Sequence, residues 1–198
     1  MKKVNVYQGV IKRLLDIVLS GLALILLCPI LILICILILI DDFGPVLFKQ
    51  KRVGKNEKIF QILKFRTMYI DAEKYQETGV EVIGKDPRIT KMGFLLRRFK
   101  IDELPQLINV LKGDMSIIGP RPSIPDYLKS YQNWERERFT VRPGLSGLAQ
   151  VNGNIFLSKT ERSKFDVEYV HKISFLLDTK IVLKTILVII FGEEKFRK

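Results

Sequence analysis

Lys100-Ile-Asp-Glu-Leu-Pro-Gln-Leu-Ile-Asn-Val-Leu-Lys-Gly-Asp-Met-Ser-Ile-Ile-Gly-Pro-Arg-Pro122 is the stretch in which helix punctuation and reactive side chains coincide. Leu104, Leu107, Ile108 and Leu111 recur at helical spacing. Pro105 falls where the first turn of that helix is expected, because its missing N–H costs nothing there. Gly113 follows as the expected C-terminal stop. The adjacent carboxylates Asp102 and Glu103 therefore mark a helix start. A capping and dipole role alone would stabilise such a helix by roughly 0.3–2 kcal/mol. Arg97, Arg98 and Lys100 lie just upstream, so the same few residues could also gather phosphate, metal and carboxylate.

Working outward, 198 residues are enough for one modest core. Thirty-three Lys and Arg against 21 Asp and Glu give a net charge of +12, which favours an anionic partner such as a nucleotide or an anionic lipid surface. The mean hydropathy of +0.15 is high for so charged a chain. The apolar residues are concentrated in one run, residues 17–40, which holds 24 residues and no charge. As a straight helix the run would extend about 36 Å, against a hydrocarbon core of roughly 30 Å. It is too long for a cleaved leader and lacks a small-residue cleavage pattern.

Pro29 divides this run, and basic residues flank both of its ends: Lys2, Lys3, Lys12 and Arg13 before it, Lys49, Lys51, Arg52 and Lys55 after it. Positive flanks favour the cytoplasm, so both ends are expected on that side, in a re-entrant helix–break–helix. Lys12, Arg13 and Asp16 share one helix face and are the expected membrane anchor. Cys28 and Cys35 both lie inside the run and suggest no disulfide or metal framework.

Beyond Gly44-Pro45, residues 46–53 and 59–65 around the turn Gly54-Lys-Asn56 suggest a short β-hairpin with a basic face. Residues 71–88 suggest a helix and loop, and residues 92–98 a short amphipathic helix ending on Arg97 and Arg98. A helix rich in Tyr and Trp is expected over 123–138. Residues 181–191 are too short to span and suit an interfacial helix. The lone His171 cannot build a metal cluster, and no zinc pattern, P-loop or Gly-x-Gly-x-x-Gly fingerprint occurs.

Asp-Glu-Leu-Pro-Gln-Leu, Asn-Val-Leu-Lys-Gly-Asp-Met-Ser, Gly-Pro-Arg-Pro, Lys64-Phe-Arg-Thr-Met68 and Pro143-Gly-Leu-Ser-Gly147 occur in the order in which they are found in the monotopic phosphoglycosyl transferases, the bacterial sugar transferases. The chain strongly resembles that family from Lys12 to about Phe191. The resemblance implies an α+β fold, mostly α, with a membrane element over 1–41 and a cytoplasmic, membrane-associated catalytic domain over 42–198 carrying interfacial amphipathic helices. It implies transfer of a sugar-1-phosphate from a UDP-sugar to polyprenol (undecaprenyl) phosphate at the cytoplasmic face of a bacterial membrane, with UMP released. Such a step would open a polysaccharide or glycoconjugate pathway.

By the same resemblance Asp102 is the nucleophile, and Mg²⁺ is held near Asp102 and Glu103. Arg97, Arg121 between Pro120 and Pro122, Arg142 and Asp178 are the expected substrate contacts. The role of Glu103 stays open between metal ligand, tuning of its neighbour and proton handling. Lipid bilayer, UDP-sugar and polyprenol phosphate are the expected partners and nucleic acid is not. A second copy of the chain and downstream glycosyltransferases are compatible further partners. The chain departs from the family pattern at Lys100-Ile101, where Ser-Leu is usual, at Asn154-Ile155, where Arg-Asn is usual, and at Lys159, where tryptophan is usual. The alternatives are a membrane-spanning transferase that uses direct metal-activated attack without a covalent intermediate, and a membrane-anchored basic adaptor that binds anionic lipid or nucleic acid and does no chemistry.

Overall fold

A computed structural model describes residues 6–70, 72 and 86–196. It is mostly helical, with two small sheets and a long apolar N-terminal helix. That helix, α1 (Lys12–Asp41), is led by a π-helical turn at Tyr7–Ile11. The division expected at Pro29 does not appear in the hydrogen-bond pattern: α1 is assigned as one helix through Pro29. A proline withholds only its own N–H, and the leucines and isoleucines on either side keep the remaining backbone bonds. The helix ends instead at Asp42, in extended conformation, whose N–H still reaches Ile38 O at 3.0 Å.

Both ends of α1 are tied to the same body. Near its start, Arg13 donates to Val110 O at 2.6 Å and Leu111 O at 2.8 Å, while Asp16 Oδ1 accepts from Ser116 Oγ and Ile117 N. Near its end, Asp41 Oδ2 accepts from Met92 N at 2.8 Å, and Asp42 pairs with Arg66 at 2.8 Å. Ile34 and Ile38 bury themselves with Phe65 and Leu96. The intervening turns leave Leu22, Ile25, Leu26 and Ile30 exposed.

β1 (Leu47–Val53) pairs antiparallel with β2 (Ile59–Phe65), from Leu47 opposite Phe65 to Val53 opposite Ile59. Asn56 and Glu57 adopt positive φ in the connection. α2 (Lys91–Arg98) is capped by Thr90, whose side chain accepts from Gly93 N. α3 (Gln106–Lys112) ends at Gly113 with φ +93°, the left-handed stop that the glycine suits. β3 (Ser116–Ile118) runs parallel to β4 (Gly144–Ser146), a pairing that no local pattern announces. α4 (Lys159–Lys172) opens with a Ser158/Glu161 capping box. α5 (Phe175–Phe191) is 17 residues long and so begins earlier than the apolar run alone suggested.

The helix expected over 123–138 is not formed. Pro125–Ser130 and Glu135–Thr140 are separate 3₁₀ turns, and between them Gln132 N–H is taken by the Glu135 side chain. Local side-chain bonds of this kind compete with helix propagation. The helix and loop expected over 71–88 lie largely outside the described residues. Ile118, Val151, Tyr169 and Ile181 form one core under α4 and α5; Ile62, Val110 and Met115 form another behind the antiparallel sheet.

Candidate active site

Asp102 and Glu103 sit in a 3₁₀ turn, Ile101–Glu103, ahead of α3 and not in its first turn. Pro105 is the N-cap of α3, and Lys100 precedes the turn in left-handed conformation at φ +58°. The turn lets two adjacent carboxylates diverge. Glu103 Oε1 pairs with Lys64 Nζ at 2.8 Å and with Arg121 Nη2 at 3.0 Å. Asp102 is only 8% exposed, yet its carboxylate makes no hydrogen bond or ion pair among the described residues.

Electrostatics separate the pair further. Burial would raise the Glu103 carboxyl, but Arg121 and Lys64 outweigh it and hold the group well below the usual carboxylate range. Burial raises the Asp102 carboxyl, with Glu103's charge adding to it, and Lys64, Arg97 and Lys100 only partly offset this. One carboxylate is thus clamped as an anion between two cations. The other is held bare and destabilised beside them.

The supporting residues come from distant parts of the chain. Lys64 extends from β2 on the face of Phe60 and Ile62. Arg97, near the end of α2, donates Nε–H to Thr67 Oγ1 at 2.8 Å. Arg121 is held through its backbone: its carbonyl accepts from Arg138 Nη2 at 2.8 Å, and Pro120 O accepts from Gly144 N at 2.9 Å. Pro122 O accepts from Arg52 Nη1 at 3.4 Å. Buried Arg138 also donates to Tyr131 Oη at 2.6 Å and pairs with Asp166 at 2.7 Å, and burial pushes the Asp166 carboxyl up to about 6 despite that cation.

The structure therefore brings Asp102, Glu103, Arg97 and Arg121 to one locus. Arg142 and Asp178 make their bonds elsewhere. Arg142 Nε donates to Gly113 O at 2.9 Å, at the far end of α3. Asp178 accepts from Tyr7, Lys12 and Tyr169 at the junction of α1, α4 and α5. Lys12 thereby pairs inside the protein at 2.6 Å. Sequence reasoning named Lys64 only as the start of the Lys64–Met68 family motif and gave it no role; a further signal is that it is a lone lysine on the buried face of an alternating strand. Thr67 lies in the same motif without an assigned role, and Arg138 carries no such signal, since only tertiary contacts give it work.

Among the described residues no group of three or more His, Cys, Asp or Glu could cage a metal ion. An Mg²⁺ ion, however, commonly takes one or two carboxylates, with phosphates and waters completing its shell. The bare oxygens of Asp102 fit that donor set, with Glu103 adjoining.

The bacterial sugar transferase profile matches residues 7–192. The chain belongs to the bacterial sugar transferase family. This transferase-family chain is 38% identical over 191 residues to the exopolysaccharide production protein ExoY of Rhizobium meliloti, covering 90% of the chain and 84% of the relative. It is 41% identical over 186 residues to the UDP-glucose:undecaprenyl-phosphate glucose-1-phosphate transferase of Caulobacter vibrioides, covering 88% and 68%. It is 40% identical over 191 residues to the galactosyl transferase CpsE of Streptococcus agalactiae, where it covers 91% of the chain and spans 42% of the relative's length.

At the positions where the sequence departs from the family pattern, Asn154 is buried with φ +44°. Lys159 Nζ reaches Ser130 O and Oγ at 3.0 and 2.7 Å and stands 4.5 Å over the Tyr131 ring.

Proposed function

We propose that this chain is a phosphoglycosyl transferase that moves a sugar-1-phosphate from a UDP-sugar to polyprenol phosphate through a covalent aspartyl intermediate. The observation that carries the reading is the contrast within the dyad: Asp102 is buried and unbonded while Glu103 is clamped. A nucleophile needs lone pairs that no partner occupies, and a desolvated carboxylate is the more reactive for it.

The chemical difficulty is an anion attacking an anion, which calls for preplaced cations. Arg97, Lys64 and Arg121 surround the dyad and would receive the diphosphate. An oxygen of Asp102 attacks the β-phosphorus; the bond from that phosphorus to the bridging oxygen breaks, and UMP leaves with the electron pair. A polyprenol phosphate oxygen then attacks the same phosphorus and releases Asp102 as carboxylate. Glu103 holds Lys64 and Arg121 in position through both displacements. Mg²⁺ bound at Asp102 would supply charge neutralisation at the diphosphate. Related proteins named for transfer to undecaprenyl phosphate support the acceptor class.

The membrane arrangement supports the same reading. α1 sends exposed apolar residues outward between two ends docked on one body. Phe94 on α2 and Phe99 just after it are exposed beside Arg98, and α5 exposes Leu183, Leu187 and Ile190. We take residues 1–41 as a re-entrant membrane element and 42–198 as the catalytic body, resting on the cytoplasmic face of a bacterial membrane.

The deciding experiment incubates purified protein with UDP-sugars and Mg²⁺, without acceptor, and weighs it by intact mass spectrometry. One phosphosugar should be gained, mapping to Asp102, with UMP released before acceptor is added. Asp102→Asn should lose the adduct and about 10³-fold or more of turnover. Turnover without an adduct, obeying ternary-complex kinetics, would favour direct transfer instead.

A further inference from the structure

The loop Pro120-Arg-Pro-Ser123 carries one of the two cations on Glu103, and its two prolines have no N–H with which to fix it. Each of its four carbonyls is instead taken by a different donor. Pro120 O accepts from Gly144 N at 2.9 Å and Arg121 O from Arg138 Nη2 at 2.8 Å. Pro122 O accepts from Arg52 Nη1 at 3.4 Å and Ser123 O from Val53 N at 2.9 Å. The bond at Arg121 itself is the shortest and comes from a charged donor, the stronger kind. Arg138 also reaches the loop a second way: its Nη1 donates to Tyr131 Oη at 2.6 Å, and that hydroxyl lies 3.0 Å from Ser123 Oγ. The Tyr131 and Phe139 rings, in edge-to-face contact, frame its guanidinium at 5.2 and 5.5 Å.

Behind this contact, Arg138 Nη2 pairs with Asp166 Oδ2 of α4 at 2.7 Å. As a source of stability the pair is poor. Arg138 is 7% exposed and Asp166 1%, and desolvating two charges costs about as much as their attraction gains. Arg138 Nε and Asp166 Oδ1 have no hydrogen-bond partner among the described residues, so the buried pair is only partly satisfied. An apolar pair of similar volume commonly folds as well. It could not, however, donate to the Arg121 carbonyl.

We propose that Arg138, anchored on Asp166, is a positioning residue for the donor: it fixes the backbone of Arg121 and so aims that guanidinium at the nucleotide diphosphate. The inference rests on the phosphoglycosyl transferase reading, but its test does not need turnover. Full-length protein is titrated with UDP in the presence of Mg²⁺ by calorimetry, and its melting temperature is followed alongside. Arg138→Lys keeps a charge opposite Asp166 but loses the planar fork that serves Tyr131, Arg121 and Asp166 together. It should weaken the UDP midpoint by about tenfold. Arg121→Ala should weaken it at least as much. Adding Arg138→Lys to Arg121→Ala should weaken it no further, because nothing is then left to position. Arg138→Met/Asp166→Leu removes both charges at once, and should lose the same affinity while its melting temperature moves by less than about 4 °C. The cycle with Arg138→Lys decides the matter should that apolar pair fail to fold. Unchanged UDP affinity in Arg138→Lys, or a further tenfold loss in the double variant with Arg121→Ala, would overturn the inference and leave the transferase reading standing. Wild-type protein that binds no UDP would overturn both.

Discussion

Asp102 and Glu103 are covalent neighbours with opposite environments, and that difference rests on two side chains. Lys64 and Arg121 spend their charge on Glu103, while Asp102 keeps its carboxylate bare. Its carboxyl is raised by burial, with Lys64 the foremost opposing charge. Attack requires the deprotonated form, so activity should fall with acid from a pH above the ordinary aspartate range. Removing the Lys64 charge in Lys64→Gln lifts the Asp102 carboxyl further, so the acid limb of kcat/KM for UMP release should move to higher pH. A limb that stays in place, or moves down, would show that Asp102 is not the titrating nucleophile. The identity of the acidic pair was legible in the sequence. Its division of labour was not, because Lys64 and Arg121 are 39 and 18 residues away from Glu103.

At the scale of elements, the site depends on how closely α2 approaches the strand end at Thr67. A Cβ on Gly93 would stand 2.1 Å from Thr67 O and 2.7 Å from its carbonyl carbon, both backbone atoms that cannot move aside. The contact lets Thr67 O accept from Thr90 N at 3.1 Å and Thr67 Oγ1 hold Arg97. Gly93→Ala should therefore destabilise the fold by about 1–3 kcal/mol, measurable as a lower thermal midpoint. It should also impair UDP-sugar use beyond the effect of stability, through Arg97. A variant with wild-type melting and kinetics would show that α2 can shift at no cost. α2, Gly113 and the two antiparallel strands follow from apolar spacing and turn residues. The helix expected over 123–138 failed because its Tyr, Trp and Arg residues answer to distant partners and to side-chain bonds within its own turns.

For the whole molecule, α1 is the one element among the described residues long and apolar enough to cross a membrane. Arg13 and Asp16 near one end, and Asp41 and Asp42 near the other, all bond to the same body. A helix crossing a bilayer in the ordinary way would separate those ends by roughly 30 Å of hydrocarbon. Single cysteines placed at Lys3 and Lys55, in a Cys28→Ser/Cys35→Ser background, should show the same sidedness to an impermeant thiol reagent in oriented vesicles. Opposite sidedness would establish a through-going span and overturn the re-entrant reading.

The sequence by itself determined the uncharged run, its basic flanks, the acidic pair ahead of α3 and the motifs that place the chain in its family. These are local properties, written in residue type and spacing. Tertiary structure alone decided that β3 and β4 pair in parallel, and that Arg142 and Asp178 bond away from the dyad. It also decided that Lys12, Arg13 and Asp16, expected as a membrane anchor, bond inward to the body, and that Glu103 is clamped while Asp102 is bare. Each of these outcomes depends on which distant charge or carbonyl lies within about 3 Å, a distance that no periodicity along the chain encodes.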